Sequence, residues 1–147
     1  QKNILFKIIG DGKKLKKLKK FVSKLNIKNC IFLPPMDRMK LIDEYVNADI
    51  LFLHLNDFKA FNKVLPSKIF EYAATGKPIL AGVSGYSAEF LEKKVLNSKV
   101  FPPGNINEAL KCINQLILQK TNRQDFINEY SREKISKNMS NDILSIL

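Results

Sequence analysis

Histidine and cysteine are almost absent from this chain of 147 residues: there is one histidine, His54, and two cysteines, Cys30 and Cys112. A single imidazole excludes a histidine-rich metal site. The cysteines lie far apart with no second thiol beside either one. That is neither a disulfide framework nor a zinc spacing, and it fits a reducing cytoplasm. No apolar run approaches the roughly 20 residues of a membrane span. Gln1-Lys2-Asn3 leads into an apolar stretch without a cleavage-site pattern, so no signal peptide is expected. Acidic residues are scarce as well, 14 against 25 lysines and arginines, for a formal net charge of +11. Such a surplus suits nucleic acid, anionic lipid or an anionic substrate. It also arises without function where lysine is the default surface residue, and Lys, Asn and Ile are abundant throughout.

What is present describes one ordinary globular domain, with 45% hydrophobic and 27% charged residues. Strand and helix patterns alternate along it. Ile4 to Ile9 is a β-branched and aromatic run ended by Gly10-Asp11-Gly12, and Cys30 to Leu33 is a second strand stopped by Pro34-Pro35. Asp49 to Leu55 is a third, almost uninterruptedly apolar, as parallel strands covered on both faces are. Ile79 to Ala81 and Lys99 to Phe101 complete the set. Helices are expected from Leu15 to Leu25, Met39 to Val46, Pro66 to Thr75 (closed by Gly76), Ala88 to Val95 and Ile106 to Leu118. One or two more fill 125–147, and 56–65 reads as a polar, aromatic loop. The expected class is α/β: a doubly wound, Rossmann-like parallel sheet, with ligands at the carboxyl ends of its strands.

The segment from Leu65 to Ile79 is the informative one. Pro66 at an early helix position leaves the amides of Ser67 and Lys68 free, and such an end binds anions through unpaired N–H groups and the helix dipole. A lysine in the first helical turn is unfavourable by roughly 0.3–1 kcal/mol unless an anion sits there. Lys68 occupies that turn and Lys63 precedes it. With the Ser67 hydroxyl they suit a diphosphate. Glu71, three residues after Lys68, lies on the same helix face and suits ribose hydroxyls. An exposed helical ion pair would show the same spacing. His54 ends a strand beside the expected cleft, where it either touches a ligand or serves as a satisfied structural histidine. Glu89 suits a helix opening, although its loop, Gly82 to Ser87, faces the same cleft.

These residues resemble the signature of family 4 retaining glycosyltransferases of the GT-B fold, of the bacterial surface-polysaccharide type: Pro66-Ser67-Lys68, then Glu71-Tyr72, then Gly76-Lys77-Pro78. The agreement continues in order through Ile8-Ile9-Gly10-Asp11-Gly12, Ile31-Phe32-Leu33-Pro34, Ala48-Asp49-Ile50, Pro102-Pro103-Gly104 and a tail from Phe126 to Lys137. The resemblance implies the carboxyl-terminal, nucleotide-sugar-binding half of such an enzyme. The expected donor is a UDP-sugar and the acceptor a bacterial glycan or lipid-linked sugar. It also implies that Glu71 holds the ribose, that backbone at Val64, Leu65 and Ser67 meets the diphosphate, and that Lys63 and Lys68 stabilise it as it leaves. Phe32 and Leu33 would meet the base, with Gly10 and Gly12 lining the cleft. No metal or other cofactor is expected, the lysines and helix amides taking the electrostatic role.

Two departures stand out. Many members carry a second acid eight residues before the one matching Glu71, where this chain has Lys63. The family's basic phosphate-binding pair would fall upstream of Gln1, so the expectation is a chain that begins inside its domain, lacks the amino-terminal domain and is inactive alone. Three rivals compete. A nucleotide-sugar epimerase and a non-catalytic nucleotide-binding module share the architecture, whereas a dinucleotide fingerprint fails because its third glycine falls at Leu15. The lysine run 13–20 suits either an anionic membrane or a solvated helix face, and Leu15, Leu18, Val22 and Leu25 read as a core stripe. No aromatic interleaving or recognised module points to nucleic acid. The expected place of work is the cytoplasm, at the inner membrane face if the lysine run binds lipid.

Overall fold

The computed structural model describes residues 4–146, which fall into two compact units divided after Glu44. In the first unit, strand β1 (Phe6–Ile9) pairs in parallel with β2 (Cys30–Leu33), Phe6 opposite Cys30 and Ile9 opposite Leu33. Helix α1 (Leu15–Lys24) connects them, and α2 (Arg38–Asn47) follows. Lys7 on β1 pairs with Glu44 on α2 at 2.8 Å.

The second unit holds a parallel sheet in the order β3-β4-β5, formed by Leu51–His54, Ile79–Gly82 and Ser98–Phe101. Between and after the strands run α3 (Ser67–Ala74), α4 (Tyr86–Lys94), α5 (Ile106–Gln115), α6 (Gln124–Tyr130) and α7 (Arg132–Leu144). The central strand β4 is buried at all four positions. Successive side chains point to opposite faces, so Ile79 and Ala81 join one core while Leu80 joins another. The first core takes Ile69 and Ala73 from α3, Phe90 and Leu91 from α4, and Phe126 from α6. The second takes Cys112 and Leu116 from the α5 side. Helices thus cover both faces of β4. Strand β3 is covered on one face only, contrary to expectation: Leu51 and Leu53 are buried while Phe52 is 51% exposed. The second core, around Leu80, takes no β3 side chain, only that of Ile50 from just before the strand. Full burial of a side chain such as Ile69 or Leu91 stabilises the fold by about 1.5–3 kcal/mol. Phe70, Phe90, Phe126 and Tyr130 pack ring to ring, with centroids 4.6 Å apart at the closest, between Phe126 and Tyr130.

Gly76 closes α3 in the left-handed region (φ 73°), as its sequence position implies, and its carbonyl accepts from Thr121 N–H at 2.8 Å. Several expectations need correction. Residues 59–63 form a 3₁₀ turn, Lys59–Lys63, instead of an irregular loop, because Phe58 and Val64 close it through backbone bonds with Phe61. Helix α5 ends at Gln115, short of Leu118. There the Asn97 side chain accepts from the Ile117 N–H and donates to its carbonyl, groups a longer helix would use itself. The leucine stripe of α1 is not a core stripe: Leu15 and Val22 are half-buried, but Leu18, Phe21 and Leu25 are 38%, 56% and 53% exposed.

Candidate functional site

Pro66 is extended (φ −67°, ψ 139°) and caps α3, so it sits just outside the helix and Ser67 is the first helical residue. The carbonyl of Pro66 accepts from Ile69 N–H at 3.0 Å, and the N–H groups of Ser67 and Lys68 have no partner among the described residues. No side chain caps this end, and no acid lies in its first turn. It presents two free donors and the positive end of the helix dipole.

Lys68 and Glu71 are brought together one turn apart, Nζ to Oε2 3.5 Å. A third residue joins them from α2. The Lys68 ammonium donates to the Tyr45 hydroxyl at 2.6 Å, and that hydroxyl donates on to Glu71 Oε2 at 3.4 Å. Tyr45 is buried, with its ring edge-on to Tyr72 at 5.1 Å. The Lys68 ammonium lies 5.3 Å from the centre of the Tyr45 ring and 6.0 Å from that of Tyr72, within reach of a cation–π attraction. Burial opposes the charge on Lys68, but the hydrogen bond and the neighbouring Tyr45, Glu71 and Tyr72 more than offset it, and its pKa lies above the ordinary lysine value. Burial, then the nearby Tyr45 hydroxyl, raises that of Tyr72. Lys68 therefore stays a fixed cation at physiological pH, aimed from the amino end of a helix. Such an arrangement is suited to phosphate oxygens, and a carboxylate beside it is suited to hydroxyl donors.

The segment before α3 is held from β4 and α4. Buried Ser87 donates its hydroxyl to the Val64 carbonyl, and Ser84 Oγ donates to Asn62 Oδ1 at 2.7 Å. Between those serines Gly85 (φ 61°, ψ −136°) lies so close to Asn62 that a Cβ would sit 2.3 Å from its carbonyl oxygen. Val64 and Leu65 are thereby fixed next to the helix end. Lys63 is exposed at the close of the 3₁₀ turn, and Ser67 is exposed at its own helix start.

His54 ends β3, and its Nε2 accepts the Gly104 N–H at 3.2 Å, which places the ring proton on Nδ1. Its ring lies 6.0 Å from Phe52 and 6.1 Å from Phe101, so the fold gives it a packing role. Glu89 lies in the first turn of α4 and pairs with Lys93 at 3.4 Å. In the first unit, Gly10 N–H donates to the Leu33 carbonyl at 3.1 Å, and Gly12 N–H to Asp11 Oδ1 at 2.7 Å. Phe32 lies under the Lys19 ammonium, 5.7 Å from ring centre to Nζ. Gly10 and Leu33 are thus neighbours at the carboxyl ends of β1 and β2. Among the described residues no group of three His, Cys, Asp or Glu is placed to hold a metal ion, and no helix is long and apolar enough to cross a membrane.

Sequence reasoning missed Tyr45. Its only local signal is an apolar spacing with Leu41 on α2, which reads as core packing.

The family model for glycosyl transferases group 1 matches residues 1–134. The chain belongs to that family. Its α/β architecture, with parallel strands flanked by helices, is that of a Rossmann-like half of a GT-B enzyme. Neither the curated proteins nor the solved structures contained a significant match.

Proposed function

We propose that the chain is the donor-binding half of a retaining glycosyltransferase, of the family 4 type that builds bacterial surface polysaccharides. The donor is a nucleoside diphosphate sugar, read as a UDP-sugar, and the acceptor a glycan or lipid-linked sugar. The reading is supported above all by the Lys68–Tyr45–Glu71 cluster at the uncapped amino end of α3, in a chain of the glycosyl transferases group 1 family.

In this reading the diphosphate lies over the N–H groups of Ser67 and Lys68, with backbone at Val64 and Leu65 alongside. The Lys68 ammonium, and Lys63 from the preceding turn, take up the negative charge that grows on the diphosphate as its bond to the sugar breaks. Removing one pre-aimed donor of this kind costs about 10²–10³ in kcat. Glu71 holds the ribose hydroxyls and sets the depth of the nucleotide. The resemblance assigns Gly10, Gly12, Phe32 and Leu33 to the base, and within the second unit the sugar lies towards His54. The acceptor and any proton-handling group come from another domain of the same protein, which closes over the donor and excludes water.

Radiolabelled nucleotide sugars, offered with lipid-linked acceptors to the protein in its full length, test the reading. Transfer that falls at least tenfold in Lys68→Met supports it. Interconversion of the donor without transfer would mean an epimerase, and binding without either reaction a non-catalytic module.

A further inference from the structure

Eight lysines and no acid lie between Gly12 and Met36. Five of them lie within α1 and Lys14 stands at its cap position, stacking as like-charge neighbours three and four residues apart: Lys14 with Lys17, Lys16 with Lys19 and Lys20, Lys17 with Lys20, Lys20 with Lys24. Each such pair destabilises an isolated helix by a few tenths of a kcal/mol. Nothing nearby offsets this. The helix has no acid in its first turn and no side-chain cap at Lys14. Among the described residues, no ion pair involves a lysine of α1. Other helices pair some of their lysines, as in Lys93 with Glu89, Lys94 with Glu129 and Lys111 with Glu108. Single lysines elsewhere, such as Lys59, Lys77 and Lys120, also lack an ion pair among the described residues, but only α1 gathers so many on one element with no acid among them.

The same helix presents apolar surface. At 3.6 residues per turn, Leu18, Phe21 and Leu25 share an arc of about 60°. All three are exposed, whereas Leu15 and Val22, one edge over, are half-buried. Lys17 and Lys24 border the exposed arc on its other side, and Lys14 lies over its amino end. Lysine stems lie along apolar surface while their ammonium groups reach outward.

We propose that α1 docks on an anionic lipid surface, with Leu18, Phe21 and Leu25 entering the headgroup boundary and the bordering lysines meeting lipid phosphates. A short helix with Phe and Leu on one face and lysine on the rest binds through both kinds of contact. A nucleic-acid surface would use the charge and leave the leucines in water, so the apolar stripe decides between the two. The inference stands apart from the donor site, since it uses none of its residues.

The test is sedimentation of the protein with vesicles of mixed phosphatidylglycerol and phosphatidylcholine, and with phosphatidylcholine alone. Binding should require the anionic lipid and be lost at about 1 M salt, where the Debye length is about 3 Å. Lys14→Gln, Lys17→Gln and Lys24→Gln together should weaken it about a hundredfold. Phe21→Ser should weaken it about tenfold. Both variants change exposed side chains, and circular dichroism checks that they remain folded. No binding by the wild type, equal binding to neutral vesicles, or an unchanged Phe21→Ser would overturn the proposal. So would binding of single-stranded RNA as tight as that of the vesicles and equally indifferent to Phe21→Ser, which would make α1 a simple polyanion face.

Discussion

The Tyr45 hydroxyl accepts a hydrogen bond from the Lys68 ammonium at 2.6 Å, joining residues 23 positions apart. Donating in turn to Glu71 Oε2 at 3.4 Å, it couples the cation and the carboxylate of the candidate site through one buried side chain. An exposed helical pair such as Lys68–Glu71 alone contributes only about 0.3–0.5 kcal/mol. The third member makes it a fixed arrangement.

Tyr45→Phe keeps the ring and its contact with Tyr72 but deletes the hydroxyl. Stability should fall by about 0.5–1.5 kcal/mol, the net worth of a hydrogen bond. Nucleoside diphosphate affinity should fall severalfold, because Lys68 and Glu71 then sample other rotamers. Urea denaturation and calorimetry measure the two effects. Unchanged affinity would reduce Tyr45 to a packing residue.

Gly85→Ala tests the support of the loop before α3. Its backbone conformation is one that only glycine adopts readily, and the new Cβ would meet the Asn62 carbonyl oxygen at 2.3 Å. A loss of at least about 2 kcal/mol is expected in urea denaturation, the scale of forced backbone strain. Ser84→Ala, which removes only the hydrogen bond to Asn62, should cost about 1 kcal/mol or less. Equal losses would show that the close approach of Gly85 is not the constraint.

Much of the fold was legible because its strands are short apolar runs bounded by Gly and Pro. The stretch around Ile79 to Ala81 needs burial on both faces wherever it lies, and it has it. Lys68 and Glu71 were legible because both lie on one helix and spacing fixes their neighbourhood. Tyr45 was not, since its contact depends on how α2 meets α3, and no local period encodes that. The stripe on α1 failed for a related reason. Periodicity identifies which residues share a face and says nothing of whether an element lies against it. The turn at Lys59–Lys63 depends on Ser84, Gly85 and Ser87, some twenty residues downstream.

Arg123 is a structural cation with a defined expectation. It is 5% exposed and donates to the carbonyls of Ala73 at 3.2 Å and Leu96 at 2.9 Å, at the ends of α3 and α4. Arg123→Met should cost about 2–4 kcal/mol by leaving those carbonyls unpaired in the core. Burial pushes the guanidinium down to about 10, so it is charged in both folded and unfolded states at lower pH. The loss should therefore be flat between pH 6 and about 9, since protons bound in the two states are equal there. A loss that varies across that window would contradict the assignment.

The central claim is that the amino end of α3, with Lys68 and Glu71, binds a nucleoside diphosphate, and calorimetry with uridine diphosphate tests it most directly. The chain alone should bind with Kd on the order of 0.1–1 mM, about −4 to −5.5 kcal/mol. Glu71→Gln should weaken that by roughly 1–3 kcal/mol, the scale of a charged hydrogen bond, with little change in stability. Inorganic pyrophosphate, which has no ribose, should bind the wild type and the variant alike. Equal affinity of both for uridine diphosphate, or a tighter preference for a nicotinamide dinucleotide, would contradict the account.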